Sequence, residues 1–144
     1  MTAAQRLYTP ELLALAVELA EYPPLDTAAA RGESRSPACG STLALDLALD
    51  DGGRIARLGM RVRACAIGQA SAAIFARHAA GRNLAEINDV LARLEAWLDD
   101  EGPAPEWPGL ALVAPARAYP ARHGAMLLPW KAAAAALSSA APAG

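Results

Sequence analysis

Hydrophobic and polar residues alternate along two consecutive segments in the first half of the chain. Over 41–50, leucine occupies every odd position from Leu43 to Leu49, and the positions between are mostly small or polar. This period of two predicts a half-buried β-strand. The alternation resumes over 55–64, so the intervening Asp50-Asp51-Gly52-Gly53 predicts a hairpin turn. In the second strand we expect one face to contain Ala56, Leu58, Met60 and Val62, and the other to contain Arg57, Arg61 and Arg63. These arginines are expected either to pair with Asp46 or Asp50 or to form a solvated face.

Helical spacing of apolar residues dominates elsewhere. Thr9-Pro10-Glu11 combines an N-cap hydroxyl, a proline at the first helical position and an acidic first turn, so it predicts a helix that ends before Pro23. Further helices are predicted over 66–80, 84–98, 110–118 and 126–137. Pro129 is then expected in the first turn of the last helix, and the tail from Ser138 is expected to fray. Strands followed by helices indicate an α+β fold, with one face of an antiparallel sheet covered by helices.

Composition and charge narrow the class of protein. The length of 144 residues fits one domain, over 1–144, and the hydrophobic fraction of 54% is rich in alanine. Thirteen basic and 15 acidic residues give a net charge of −2, which argues against nucleic-acid and anionic-membrane partners. No stretch approaches the ~18 apolar residues of a membrane span, and Met1–Thr9 lacks the apolar core of a signal peptide. We therefore expect a cytoplasmic protein with reduced thiols.

The candidate chemistry lies in two cysteines. Cys39 precedes the first strand of the hairpin and Cys65 follows the second, so antiparallel pairing places both thiols at the same end of the sheet. Two thiols form half of a tetrahedral metal site, but a reactive thiol pair and two inert cysteines are alternatives. His123, before the last helix, is either a further ligand or a surface or capping residue. No serine-nucleophile, zinc-protease or phosphate-loop motif occurs, so no catalytic residue is predicted, and a binding protein is favoured over an enzyme.

Five segments, taken in order, resemble the U-type iron–sulfur cluster scaffold proteins, the family of NifU N-terminal domains, IscU and SufU. They are Ser36-Pro37-Ala38-Cys39-Gly40, Asp50-Asp51-Gly52-Gly53-Arg54-Ile55, Ala64 through Ala72, Gly81-Arg82-Asn83-Leu84, and Pro120-Ala121-Arg122 with Leu128-Pro129-Trp130-Lys131. The resemblance extends from the first helix to Lys131, and the long stretch between Cys65 and the last motif resembles the SufU branch more than IscU. It implies a three-stranded antiparallel sheet in which 30–37 is the strand before the first cysteine.

The resemblance also implies a ligand set from which this chain departs. The family binds metal through three cysteines and an aspartate, and Cys39 and Cys65 match the first two cysteines. Ser41 stands at the aspartate position, where a hydroxyl is a far weaker ligand. The third cysteine is replaced by Ala125 in one alignment, or by Gly124 in an alternative that retains His123 as a nearby ligand. The implied cargo is zinc, iron or a [2Fe–2S] cluster held by Cys39, Cys65 and His123.

Three functions remain open at this point. The first is a scaffold-like protein that binds iron, zinc or a cluster, and a cluster's usual four ligands would then require a homodimer or an external thiol. The second is a thiol relay that accepts sulfur from a cysteine desulfurase. The third is a degenerate paralogue that keeps the fold and a partner-binding surface. The partners implied by the resemblance are a cysteine desulfurase and cluster-accepting proteins.

Overall fold

One antiparallel sheet and four α-helices make up residues 7–140, which are the residues that the computed structural model describes. The strands are β1 (Ala30–Ser36), β2 (Ser41–Leu49) and β3 (Ile55–Arg63), in the spatial order β1-β2-β3. The helices are α1 (Pro10–Glu18), α2 (Ala66–His78), α3 (Leu84–Leu98) and α4 (Pro120–Ala140), with 3₁₀ turns at Leu19–Glu21, Leu110–Leu112 and Ala114–Ala118. The predicted α+β fold is confirmed, including a third strand within 30–37. None of the helices in this part of the chain is long and apolar enough to cross a bilayer.

Local sequence signals explain most of these boundaries. The Thr9 hydroxyl accepts the Leu12 N–H at 3.2 Å and starts α1. Asn83 and Glu86 form a reciprocal capping box that starts α3. Leu43, Leu45 and Leu47 are all buried, as the alternation in β2 predicts.

A β-bulge in β3 changes one part of the predicted face. The register shifts between Ala48 and Leu49, because Ala48 pairs with Arg57 whereas Leu49 pairs with Ile55. The extra residue is Ala56, which is exposed, while Ile55 is buried in the core. The placement of Ala56 on the apolar face was therefore wrong, because a bulge interrupts the period of two.

Of the two alternatives for the β3 arginines, pairing with Asp46 or Asp50 was wrong. Asp46 is buried and pairs instead with Arg31 of β1, with 3.1 Å between Nε and Oδ1. Its other oxygen accepts the Leu25 N–H at 3.1 Å, which fixes the segment 22–26 across the outer face of the sheet. Asp50 accepts backbone N–H groups within its own turn. Arg57, Arg61 and Arg63 are exposed and form the solvated face that the sequence favoured.

The last helix begins six residues earlier than predicted. Pro120 occupies its first turn, so Pro129 lies inside the helix and not in its first turn. Proline lacks the N–H that would bond to the Ala125 carbonyl, a cost that packing must offset. The helix packs against β1, α2 and α3, and ten of its residues are buried. Residues 138–140 are helical and 141–144 lie outside the described residues, so the fraying of the tail stays a prediction.

Candidate functional site

Cys39 lies in the tight turn between β1 and β2. The Gly40 N–H donates to the Ser36 carbonyl at 2.8 Å, and Gly40 has a φ of +72°, which favours glycine at that position. The Cys39 side chain is exposed at the rim of the sheet.

Cys65 is the N-cap residue of α2, directly after β3. It is partly buried, and its carbonyl accepts the Gln69 N–H at 3.0 Å. Because Thr42 pairs with Arg63, the β1–β2 turn and the start of α2 lie at the same end of the sheet. The topology therefore brings both cysteines to one end of the sheet, as the sequence predicted.

Two buried serine hydroxyls surround the Cys39 sulfur. The Cys39 Sγ donates to Ser36 Oγ at 3.4 Å and lies 3.0 Å from Ser41 Oγ, a pair in which either atom can donate. Ser36 and Ser41 are only 1% and 4% exposed, so their positions are fixed by the surrounding structure. Sequence reasoning gave Ser41 only the role of a weak ligand and gave Ser36 none, because nothing in the sequence shows that both hydroxyls point at one sulfur.

These hydroxyls favour the thiolate form of Cys39. The hydrogen bond with Ser36 and then that with Ser41 lower the pKa of the Cys39 thiol below its ordinary value, and the positive charge of Arg122 acts in the same direction. The thiolate is the form of cysteine that acts as a nucleophile and binds metal. The lowered pKa therefore favours both nucleophilic attack and metal binding by Cys39.

We expect Ser36→Ala and Ser41→Ala to raise the pKa of Cys39, because each removes a donor to the thiolate. The measurement is the pH dependence of the rate of alkylation by iodoacetamide, in a Cys65→Ser background so that only Cys39 reacts. The midpoint should move to higher pH in both variants. Ser34→Ala is the matched control, because the Ser34 hydroxyl donates to the Leu128 carbonyl instead. An unchanged midpoint in both variants would show that the serines do not stabilise the thiolate.

The two positions that align with the missing third cysteine face different parts of the site. A side chain built on Gly124 would collide with Ser36 Oγ and lie 3.0 Å from Ser36 Cβ. Ala125 is fully buried, and its Cβ lies 3.4 Å from where a Cβ on Gly68 would be. Gly68 is in the first turn of α2, so position 125 lies beside the helix that Cys65 caps.

His123 is in the first turn of α4, and its ring is engaged elsewhere. Its Nε2 lies 2.7 Å from the Arg117 carbonyl oxygen. Residues 7–140 contain no group of three or more histidine, cysteine, aspartate or glutamate side chains placed to hold a metal ion. The donors at this end of the sheet are therefore two thiols and two hydroxyls, which do not complete a four-ligand site within one chain.

Comparison with solved structures identifies the fold. The N-terminal part of a nitrogen-fixing NifU-like protein from Brucella abortus superposes with a TM-score of 0.86 at 29% identity, and the match covers 96% of this chain and 97% of that one. This likeness bears out the resemblance to the U-type scaffold family. A candidate iron–sulfur cluster assembly scaffold protein for the SUF system of Fervidobacterium islandicum shares the U-type fold, with a TM-score of 0.75 at 22% identity over 91% of this chain and 96% of that one.

No protein-family model matches the chain. No curated protein matches it either. The likeness to U-type scaffolds is therefore supported by the whole backbone together with the five short segments identified in the sequence. The chain has Ser41 where the resemblance implies an aspartate, and Gly124 or Ala125 where it implies the third cysteine.

Proposed function

We propose that this protein acts in iron–sulfur cluster assembly as a scaffold-like protein whose Cys39 and Cys65 bind iron, zinc or a cluster as cargo. The observation that supports this most directly is the placement of both thiols at one end of the sheet in a U-type fold. Cys39 favours its thiolate form, which is the form that binds metal. We place this work in the cytoplasm, where thiols remain reduced.

The donor count determines how such cargo would be held. Zinc and [2Fe–2S] clusters usually take four ligands, and this site provides two thiolates. The remaining ligands must then come from a low-molecular-weight thiol, a second copy of the chain or a partner protein. We infer that binding is weaker than at a complete four-ligand site and that it suits transient transfer to cluster-accepting proteins.

His123 is proposed as a third donor through Nδ1, the ring nitrogen that does not face the Arg117 carbonyl. Its ring would have to turn toward the thiols, because no three-ligand group exists among residues 7–140. His123→Ala should therefore weaken zinc binding less than the loss of either thiol. If His123→Ala weakens zinc binding as much as the loss of a thiol, His123 is a full ligand. If zinc binding is unchanged, His123 is not part of the site.

We expect Cys39→Ser and Cys65→Ser each to abolish zinc or iron binding, because a single thiolate leaves the ion almost entirely to solvent ligands. The measurement is metal content and zinc competition with a colorimetric chelator, on untagged protein purified without chelators. His78→Ala is the control, because His78 lies in the last turn of α2, at the far end from Cys65. Full metal occupancy in either cysteine variant would place the ligands elsewhere and refute the proposed site.

The exposed Cys39 thiol favours a second function, acceptance of sulfur from a cysteine desulfurase. In this step the Cys39 thiolate attacks the outer sulfur of the donor's persulfide. An S–S bond forms on Cys39, the donor's S–S bond breaks, and the donor cysteine leaves as a thiolate, so no external oxidant is needed. Mass spectrometry after incubation with a desulfurase and cysteine should then show one added sulfur atom on Cys39.

Together the two assays separate the three functions. Metal without persulfide supports the scaffold function, and persulfide on Cys39 without metal supports the relay. If neither is found, the protein is a degenerate paralogue that acts through partner binding alone.

A further inference from the structure

The outer face of the sheet, opposite the helices, is covered at one end and open at the other. The segment 22–26 crosses it near Asp46 and Gly59, where the Pro23 carbonyl lies against the Gly59 α-carbon. Beyond this cover, toward the end of the sheet with the two cysteines, the face forms an open groove of about 490 Å³. We call this the arginine groove, since its lining includes Arg35, Arg61 and Arg63.

The strand register places these arginines close together. Arg35 of β1, Thr42 of β2 and Arg63 of β3 form one cross-strand row. Glu33, Ala44 and Arg61 form the next row. The backbone positions of Arg61 and Arg63 are about 7 Å apart along β3. Arg35 is two strand spacings from Arg63, which is about 10 Å across the sheet. The central strand contributes only the short side chains of Thr42 and Ala44, which leaves the space between the arginines open.

None of the three arginines is neutralised. All are exposed, and none takes part in an ion pair with another residue of 7–140, although Arg31, Arg54, Arg77, Arg93 and Arg117 each do. Glu33 lies in the same groove without forming an ion pair, so the groove keeps an excess of positive charge. The chain as a whole has a net charge of −2, which makes this local excess a property of the face and not of the protein.

We propose that the arginine groove is the docking surface for an acidic segment of a partner protein. A shallow, open sheet face suits a protein segment better than a small ligand, which needs a concave site that encloses it. Arginine binds carboxylates through two parallel hydrogen bonds, so three exposed guanidinium groups can each engage an aspartate or glutamate of the partner. Complementary charge of this kind raises the rate of association and orients the partner. The groove adjoins the end of the sheet that holds the thiols, so a partner bound there reaches Cys39 and Cys65.

The test uses a fluorescently labelled oligoglutamate peptide as the probe, with binding followed by fluorescence anisotropy at low and physiological salt. The triple variant Arg35→Gln/Arg61→Gln/Arg63→Gln should bind about tenfold more weakly than the parent. The matched control is Arg57→Gln/Arg93→Gln/Lys131→Gln, which changes the net charge equally outside the groove and should bind within about twofold of the parent. Equal losses in both triples would show a general charge effect and overturn the proposal, as would a parent protein that does not bind the probe.

Three further measurements identify the occupant. Amide shifts in an NMR titration with the oligoglutamate peptide should be concentrated in β1, β2 and β3, and shifts elsewhere would refute the site. If an oligothymidylate binds more tightly than the oligoglutamate, the groove binds a nucleic acid and not an acidic protein segment. If sedimentation velocity shows a dimer that the Arg35→Gln/Arg61→Gln/Arg63→Gln variant abolishes and the control variant does not, the groove binds a second copy of the chain. The Cys39→Ser/Cys65→Ser variant should bind the probe normally, so failure of the metal proposal leaves this one testable.

Discussion

Ala125→Cys combined with Ser41→Asp is expected to tighten zinc binding by at least about a hundredfold, because loss of even an outer-shell partner of a metal ligand costs about 10–100-fold. The double variant adds two anionic ligands to the two existing thiolates and supplies the four that tetrahedral zinc requires. Position 125 is suited to this, since its side chain lies beside the first turn of the helix that Cys65 caps. The measurement is a zinc competition titration with a colorimetric chelator.

Both substituted positions are buried, so the surrounding packing is expected to resist both changes. We expect Ala125→Cys to cost about 1 kcal/mol of unfolding free energy without zinc through overpacking, and bound zinc to more than restore it. Thermal unfolding with and without zinc checks this.

Gly124→Cys with Ser41→Asp is the competing variant. Its new side chain would collide with the buried Ser36, so we expect a less stable protein without tighter zinc binding. If this variant binds zinc more tightly than the Ala125→Cys variant, the vacated ligand position is 124. If neither variant improves on the parent, α4 no longer brings a ligand to the two thiols, and the partner-binding paralogue becomes the better function.

Gly32→Ala is expected to lower the free energy of unfolding by about 3 kcal/mol, at the upper end of the usual cost of overpacking. Gly32 lies in the middle of β1 where α4 crosses it. An added Cβ would collide with the Ala132 carbonyl oxygen and lie 2.6 Å from the Ala136 nitrogen. These are backbone atoms of a buried helix, so relief requires β1 and α4 to move apart. Urea unfolding followed by circular dichroism measures the change.

Gly52→Ala is the matched control, because its Cβ would meet nothing closer than an Asp50 carboxylate oxygen at 3.5 Å. We expect its free energy of unfolding to change by less than about 0.5 kcal/mol. If Gly32→Ala is as mild as this control, the close approach of α4 to β1 is not present in the protein.

Local signals were sufficient for the strands and the capped helices. The alternating leucines of β2 and the capping residues Thr9 and Asn83 act over a few residues, so the sequence contains all that is needed. The order of these elements also determined that Cys39 and Cys65 come to one end of the sheet, because antiparallel pairing leaves no other arrangement.

Helix α4 shows where local signals fail. Gly124 and Pro129 are both poor helix formers, and they favour a late start for the helix. The helix is buried on several sides by β1, α2 and α3, so it has no single apolar stripe to mark its beginning. Tertiary packing outweighs propensity at these positions, and only the structure shows it.

The sequence by itself determined the α+β class, the hairpin and the shared end of the two thiols. The tertiary structure alone decided the bulge at Ala56, the pairing of the buried Asp46 with Arg31 and the two hydroxyls that contact the Cys39 sulfur. It also decided which arginines of β3 and β1 share an open groove. Each of these depends on which side chains meet across strands or from separate segments, and such contacts have no fixed spacing along the chain.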